Sequence, residues 1–330
     1  MTKRLLAFAA LLTVAASLSA QPETCQWSLG INGQLCGFRP FSPNSRWNTR
    51  ADNAPTDRDS AKILRSIGKA RLFIDHEVPY IVVDSTLQPM VPVTLITGGA
   101  PKGSKVCHGR VCQAPFPLSV DWTQKGQNPG AKDYHGIVVD RALGVSWEAE
   151  GLNFENGHWE AEIVTRWDLY GGDKQGPWLV PSATAAGTSW MASLLTYDEA
   201  AADQVNHALG FTLSPKHFPN MKEVWFTPPA TMPIGSDGTA DPLAVGMGTR
   251  FVLRADFDEA GYPPIARSII HALKKYGMIL MDRGSDMYVA ATGDPRWPSN
   301  QLQTLRNIMP TDFRVVKTQP RYTYHLYPRD

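Results

Sequence analysis

Tyr134-His135-Gly136-Ile137-Val138-Val139-Asp140 and Val145-Ser146-Trp147-Glu148-Ala149, separated by the turn residues 141–144, decide the fold. Two short β-branched and aromatic runs around a turn ending in glycine read as paired strands. Upstream, Pro79-Tyr80-Ile81-Val82-Val83-Asp84 is an apolar run of the same kind. Residues 91–96 are another, with Pro92 marking an edge. Downstream, residues 159–169 alternate polar and apolar in places and read as one further strand. Residues 210–213, 249–257 and 278–281 continue the series. A turn at 282–285 then leads into 287–291 as a hairpin, and residues 318–327 add an edge strand.

Helices are few. Residues 60–69 carry Ile63, Leu64 and Ile67 on one face, with Ser60 as the cap. Residues 200–209 are helical or a helical turn. Residues 264–276 form the best helix: Pro263 and Pro264 start it, Ile265, Ile269, Leu273 and Tyr276 line one side, and Gly277 stops it. Residues 299–307 form the last. There is no internal repeat and no low-complexity linker. The expected fold is mainly β with a few covering helices (α+β), in one continuous domain built as an antiparallel sheet, sandwich or barrel-like body. Residues 61–330 make that domain, and 21–60 an extended arm anchored by Phe38, Phe41 and Trp47.

Composition agrees. Of 330 residues, 43% are hydrophobic and 19% charged, which is enough apolar material for a core. The 26 prolines and 27 glycines favour turns and short strands. A net charge of +1 has no polyanion-binding signature, so nucleic acid is not an expected partner.

Residues 1–20 combine Lys3 and Arg4, an apolar stretch from Leu5 to Ala16 and a small-residue end at Ser19-Ala20. That is the pattern of a secretory signal peptide, the other reading being a first core helix. The expected location is secreted or periplasmic, with no membrane span. In that compartment the four cysteines read as disulfides. Of three possible pairings, Cys25–Cys36 and Cys107–Cys112 close the shortest loops. Metal ligation by Cys107-His108-Gly109-Arg110-Val111-Cys112 is the competing reading, though its spacing fits no common zinc pattern.

No Gly-x-Ser-x-Gly elbow, phosphate loop, dinucleotide fingerprint or His-Glu-x-x-His is present, and no cofactor is implied. The chemistry-bearing groups are carboxylates, histidines and aromatics near strand ends. Glu148 and Glu150 are two apart, so they share a face of their strand. With Trp147 beside them they suit the floor of a sugar site. Asp168 lies between Trp167 and Leu169, where partial burial would raise its pKa. His135 stands at the mouth of its strand, and His207 at the join of a helical segment and a strand. Tyr197 and Asp282 complete the set, with Asp282 also able to hold its turn through backbone bonds. For each of these a purely structural role is the competing reading.

Asn44 to Asn48, the Pro-Tyr-Ile-Val-Val-Asp run at 79–84, the His-to-Asp strand at 135–140 and Trp167-Asp168-Leu169 all resemble segments of one family of exported bacterial proteins. So do the blocks at 185–212 and 277–285, and Asp294-Pro295-Arg296-Trp297. The likeness covers most of the chain beyond residue 20. It implies export and a shared fold, and it points to His135, Asp168, His207 and Asp282. It implies no reaction. This sequence departs from the family at 107–112 and at Leu169-Tyr170-Gly171-Gly172, where a serine is expected after the leucine.

Together these features set the functional expectation of a secreted carbohydrate-active enzyme, a glycoside hydrolase on a polysaccharide or oligosaccharide. Glu148 and Asp168 would be the catalytic carboxylates, with His135 and His207 orienting groups or relaying protons. Trp147, Trp167, Tyr197 and Asp282 would bind substrate. One alternative is a lyase on an acidic glycan, using His135, His207, Arg166 and Tyr197. A hydrolase on peptidoglycan and a non-catalytic glycan-binding or envelope protein are the others.

Overall fold

A computed structural model describes residues 25–87, 91–95, 134–171, 182–236, 241–318 and 320–324. The expected signal peptide and the Cys107–Cys112 pair lie outside the described residues. Among those described, strands outweigh helices and form mixed sheets of six, five and three strands and an antiparallel pair, with no closed barrel.

The expected hairpin across residues 141–144 is present. His135–Asp140 pairs antiparallel with Val145–Glu150, with His135 opposite Glu150 and Ile137 opposite Glu148. Ile163–Asp168 extends it on one side. Tyr80–Val83 joins on the other, in parallel, and Gly30–Ile31 closes the five-stranded sheet. Period two then sorts the side chains. Tyr80, Val82, Ile137, Val139 and Trp167 enter the main core, while Ile81, Val83, Val138, Trp147, Ala149 and Val164 form a second one. Trp159 and Ala161, from the three-stranded sheet, also belong to that second core.

The six-stranded sheet runs Phe313–Val315, Arg250–Leu253, Met278–Arg283, Leu209–Leu213, Tyr288–Thr292, Phe73–Val78. The helix Pro264–Lys275 packs on it and buries Ile265, Ile269 and Leu273. Each such side chain contributes about 1.5–3 kcal/mol. The chain passes between the two large sheets at Pro79, directly from Phe73–Val78 into Tyr80–Val83.

Several expectations are corrected. The sheets are mixed rather than antiparallel, with parallel pairs in three of them. Residues 159–169 form two strands in different sheets, His158–Ala161 and Ile163–Asp168, and Glu162 makes the crossing by donating its N–H to Glu150 O at 2.9 Å. Residues 278–291 are not a hairpin, because Leu209–Leu213 lies between the two strands. Ser60 does not cap its helix. Its hydroxyl accepts from Val315 N at 2.8 Å and ties the helix start to the sheet edge. The second helix lies earlier than expected, at Tyr197–Ala201, and the tail strand Tyr322–Tyr324 pairs with Val224–Phe226 outside the large sheets. The described part of the arm, residues 25–60, has little regular structure but is not a loose appendage: Leu35, Phe41 and Trp47 are part of the main core. Its disulfide Cys25–Cys36 is formed.

Candidate active site

Residues 182–195 make contact with both large sheets without being a strand of either. Ala186 N donates to Met281 O at 2.9 Å and Leu195 N to Ala290 O at 3.1 Å, while Ser193 O accepts from Gly210 N at 2.8 Å. Small residues permit this close approach. A Cβ on Gly210 would come 2.4 Å from the Met281 sulfur and 2.8 Å from Ser193 Cβ.

Glu148 is the attachment on the other side. Its side chain is fully buried. Oε1 accepts from Ser189 Oγ at 2.6 Å, Ser146 Oγ at 3.0 Å and Met191 N at 3.1 Å, and Oε2 accepts from Trp190 N at 2.7 Å. Burial raises its pKa despite these four donors. A carboxylate so completely occupied is an anchor for the segment.

The anchored segment sets Trp190 against His135, with ring centroids 4.8 Å apart. His135 begins a strand of the five-stranded sheet, and Asp282 lies near the end of a strand of the six-stranded sheet. The two come close enough for the imidazole charge to act on the carboxyl. Burial is nonetheless the larger effect and pushes the Asp282 pKa up to about 6. The His135 charge, the backbone N–H groups of Arg283 and Ala185, and the Arg283 charge oppose it. The Arg283 N–H reaches Oδ1 at 2.7 Å. His135 thus has two neighbours: a carboxyl whose pKa is raised to about 6, and the buried Trp190 indole, whose Nε1 donates to Ala183 O at 2.8 Å.

His207 is elsewhere, in a second polar cluster. It is buried, with Nδ1 2.8 Å from Ala208 O and Nε2 3.2 Å from Glu199 Oε2. Burial disfavours its charge, but the Glu199 carboxylate and the Ala208 carbonyl outweigh that and the pKa is raised. Both ring nitrogens face acceptors, as an imidazolium requires. Glu199 is held in turn by a capping box with Thr196. Nearby, Arg296 donates to Asp294 and Asp198 and stacks over Tyr197 at 4.4 Å. His207, Glu199, Asp198, Tyr80 and the disulfide border a cavity of about 260 Å³.

The expected constellation is thus divided. His135 and Glu148 both meet Trp190, Asp282 lies within the field of the His135 charge, and His207 and Tyr197 belong to the second cluster. Glu148 lies opposite Thr165, three residues from Asp168, so the two carboxylates face opposite sides of the sheet. Asp168 is exposed, and its Oδ1 accepts from Tyr170 N and Gly171 N. Trp147 and Trp167 are buried, each in a different core. Arg166 lies on the Trp147 side, 5.7 Å over that ring. Trp190 and Glu199 were not among the expected site residues. Thr196-Tyr197-Asp198-Glu199 is a capping-box signature that marks Glu199, whereas Trp190 lies in a stretch without periodicity. Among the described residues no group of three or more His, Cys, Asp or Glu side chains is placed to hold a metal, and no helix is long and apolar enough to cross a membrane. Comparison with protein-family profiles, curated proteins and solved structures finds no match.

Proposed function

We propose that the protein is an exported glycan-cleaving enzyme in which Asp282 and His135 act as the acid–base pair. The reading rests on one observation: a carboxyl raised to about 6 within the field of an imidazole, the two carried at the ends of strands in two different sheets. The expected export signal and the disulfide suit a substrate outside the cytoplasm.

Elimination on an acidic glycan is favoured over hydrolysis. Hydrolysis would need a second available carboxylate on the same side; Glu148 is occupied by four donors and Asp168 faces away, which leaves the half-buried Glu150, opposite His135, as the one carboxylate at this end of the hairpin for that role. In the proposed step Asp282 removes the proton α to a uronate carboxyl group. The electron pair forms a carbon–carbon double bond, and the glycosidic C–O bond at the β carbon breaks. The leaving oxygen takes a proton from His135, and Arg283 offsets the charge building on the uronate.

The test is a panel of acidic and neutral polysaccharides, followed both by ultraviolet absorbance of the new double bond and by reducing ends. Elimination gives both signals, and Asp282→Asn and His135→Gln each lose at least about a hundredfold in rate. Reducing ends without absorbance would make the enzyme a hydrolase. Unchanged rates in both variants would remove the acid–base assignment.

A further inference from the structure

Away from the acid–base pair, Arg250 lies opposite Ile279 near the beginning of the strand Met278–Arg283 that carries Asp282 near its end. It is only 9% exposed. Its guanidinium donates to Thr49 O at 2.9 Å and to Arg46 O. No carboxylate pairs with it among the described residues. A buried charge is costly unless compensated, and two backbone carbonyls compensate only part of a full positive charge. Burial and then the charge of Arg46 lower its pKa to about 9, so it remains charged at neutral pH.

The surroundings add positive charge instead of cancelling it. Arg250, Arg46, Arg50 and Lys317 border one cavity of about 120 Å³, with Thr49, Thr227 and Thr318, and no acidic residue lines it. Arg50 is paired outward with Asp52. The Lys317 ammonium has no carboxylate partner among the described residues. A single water needs roughly 10–15 Å³ by the same measure, so the space admits a tetrahedral oxyanion. Lys317 and Thr318 also border a neighbouring cavity of about 450 Å³, whose lining adds Arg58, Arg321 and one carboxylate, Asp57, 3.6 Å from the Arg321 guanidinium.

We infer that the Arg250 cavity is a binding site for a phosphate or sulfate group. The planar fork of Arg250 is already fixed by the two carbonyls, and charge-assisted bonds from Arg250 and Lys317 to the ligand would supply the missing negative charge. The group arrives either as a free ion or as an ester whose remainder occupies the adjoining 450 Å³ cavity. The inference is independent of the glycan-cleaving reading, because the lining of this cavity includes none of His135, Trp190 or Asp282.

The probes are inorganic phosphate, inorganic sulfate and a monosaccharide phosphate, each titrated calorimetrically into the full chain. Chloride at matched ionic strength is the control, and thermal unfolding is followed in parallel. The oxyanions are expected to raise Tm where chloride does not. Lys317→Gln, a substitution at an exposed position, is expected to weaken binding on the order of tenfold, the worth of one charge-assisted bond. Arg250→Lys keeps the charge and loses the fork, and is expected to weaken it at least as much. Tighter binding of the sugar phosphate identifies an ester ligand, and equal binding a free ion. Equal responses to the oxyanions and chloride would overturn the inference. So would undiminished oxyanion binding by both variants, leaving Arg250 as a structural clamp on residues 46–49.

Discussion

Replacing Glu148 by Gln separates an anchor from a catalyst. The three bonds to Oε1 survive if the amide oxygen takes that position. The amide nitrogen then replaces Oε2, and two donors, it and the Trp190 N–H, face each other at a separation that is 2.7 Å in the native chain. One buried donor left without an acceptor costs about 1–3 kcal/mol. Glu148→Leu leaves all four donors without their acceptor. The Ser146 and Ser189 hydroxyls can turn to other partners, but the amides of Trp190 and Met191 cannot, so the cost rises to roughly 2–6 kcal/mol. Equilibrium urea unfolding measures both as a lower midpoint at constant m. The pH dependence supplies a second signature. The Glu148 pKa is higher folded than unfolded, so the native state binds the extra proton, and stability declines as pH rises from the unfolded value through the raised one. Gln does not titrate, and that slope should vanish. A Glu148→Gln protein as stable as the native one, yet inactive on its substrate, would refute the anchor and restore Glu148 as a catalytic carboxylate.

Three further outcomes are expected. Activity should rise as Asp282 loses its proton near pH 6, and Asp282→Asn should lose that limb while gaining roughly 1–3 kcal/mol of stability at pH 8 by urea unfolding, since it no longer buries a charge. His207 has a raised folded pKa, so its stabilisation is complete below its unfolded pKa and is lost as pH climbs through the folded one; Glu199→Gln should flatten that dependence and cost about 3–5 kcal/mol in a pH-resolved denaturation series. Gly210→Ala, forced against Met281 and Ser193, should lower the thermal midpoint by an amount equivalent to about 1–3 kcal/mol, and a variant of native stability would mean that residues 182–195 yield easily.

The strands readable in the sequence were those whose apolar, β-branched side chains are buried, such as Tyr80–Val83 and His135–Asp140. Phe73–Val78 escaped because Asp75, His76 and Glu77 break the apolar pattern of an edge strand. The supposed hairpin at 278–291 shows a different limit: period and turn residues identify strands, but not the strand inserted between them. Period two already separates Trp147 from Glu148, so a sugar platform built from both was not available to one face. His135 and Asp282 were legible as polar residues at strand ends. Their meeting was not, because it depends on residues 182–195, whose Ala, Gly, Ser and Thr carry no helix or strand rhythm.

That segment has a consequence for the order of assembly. Its partners, Glu148 on one side and Met281 and Ala290 on the other, are far apart in the chain, and it has no ladder of its own to form beforehand. It can dock only once both large sheets exist, which places closure of the interior among the last events on the way to the native state. Once docked, the Trp190 and Met191 amides should exchange with solvent deuterium only when the sheets part, so their protection would report the free energy of whole-molecule opening.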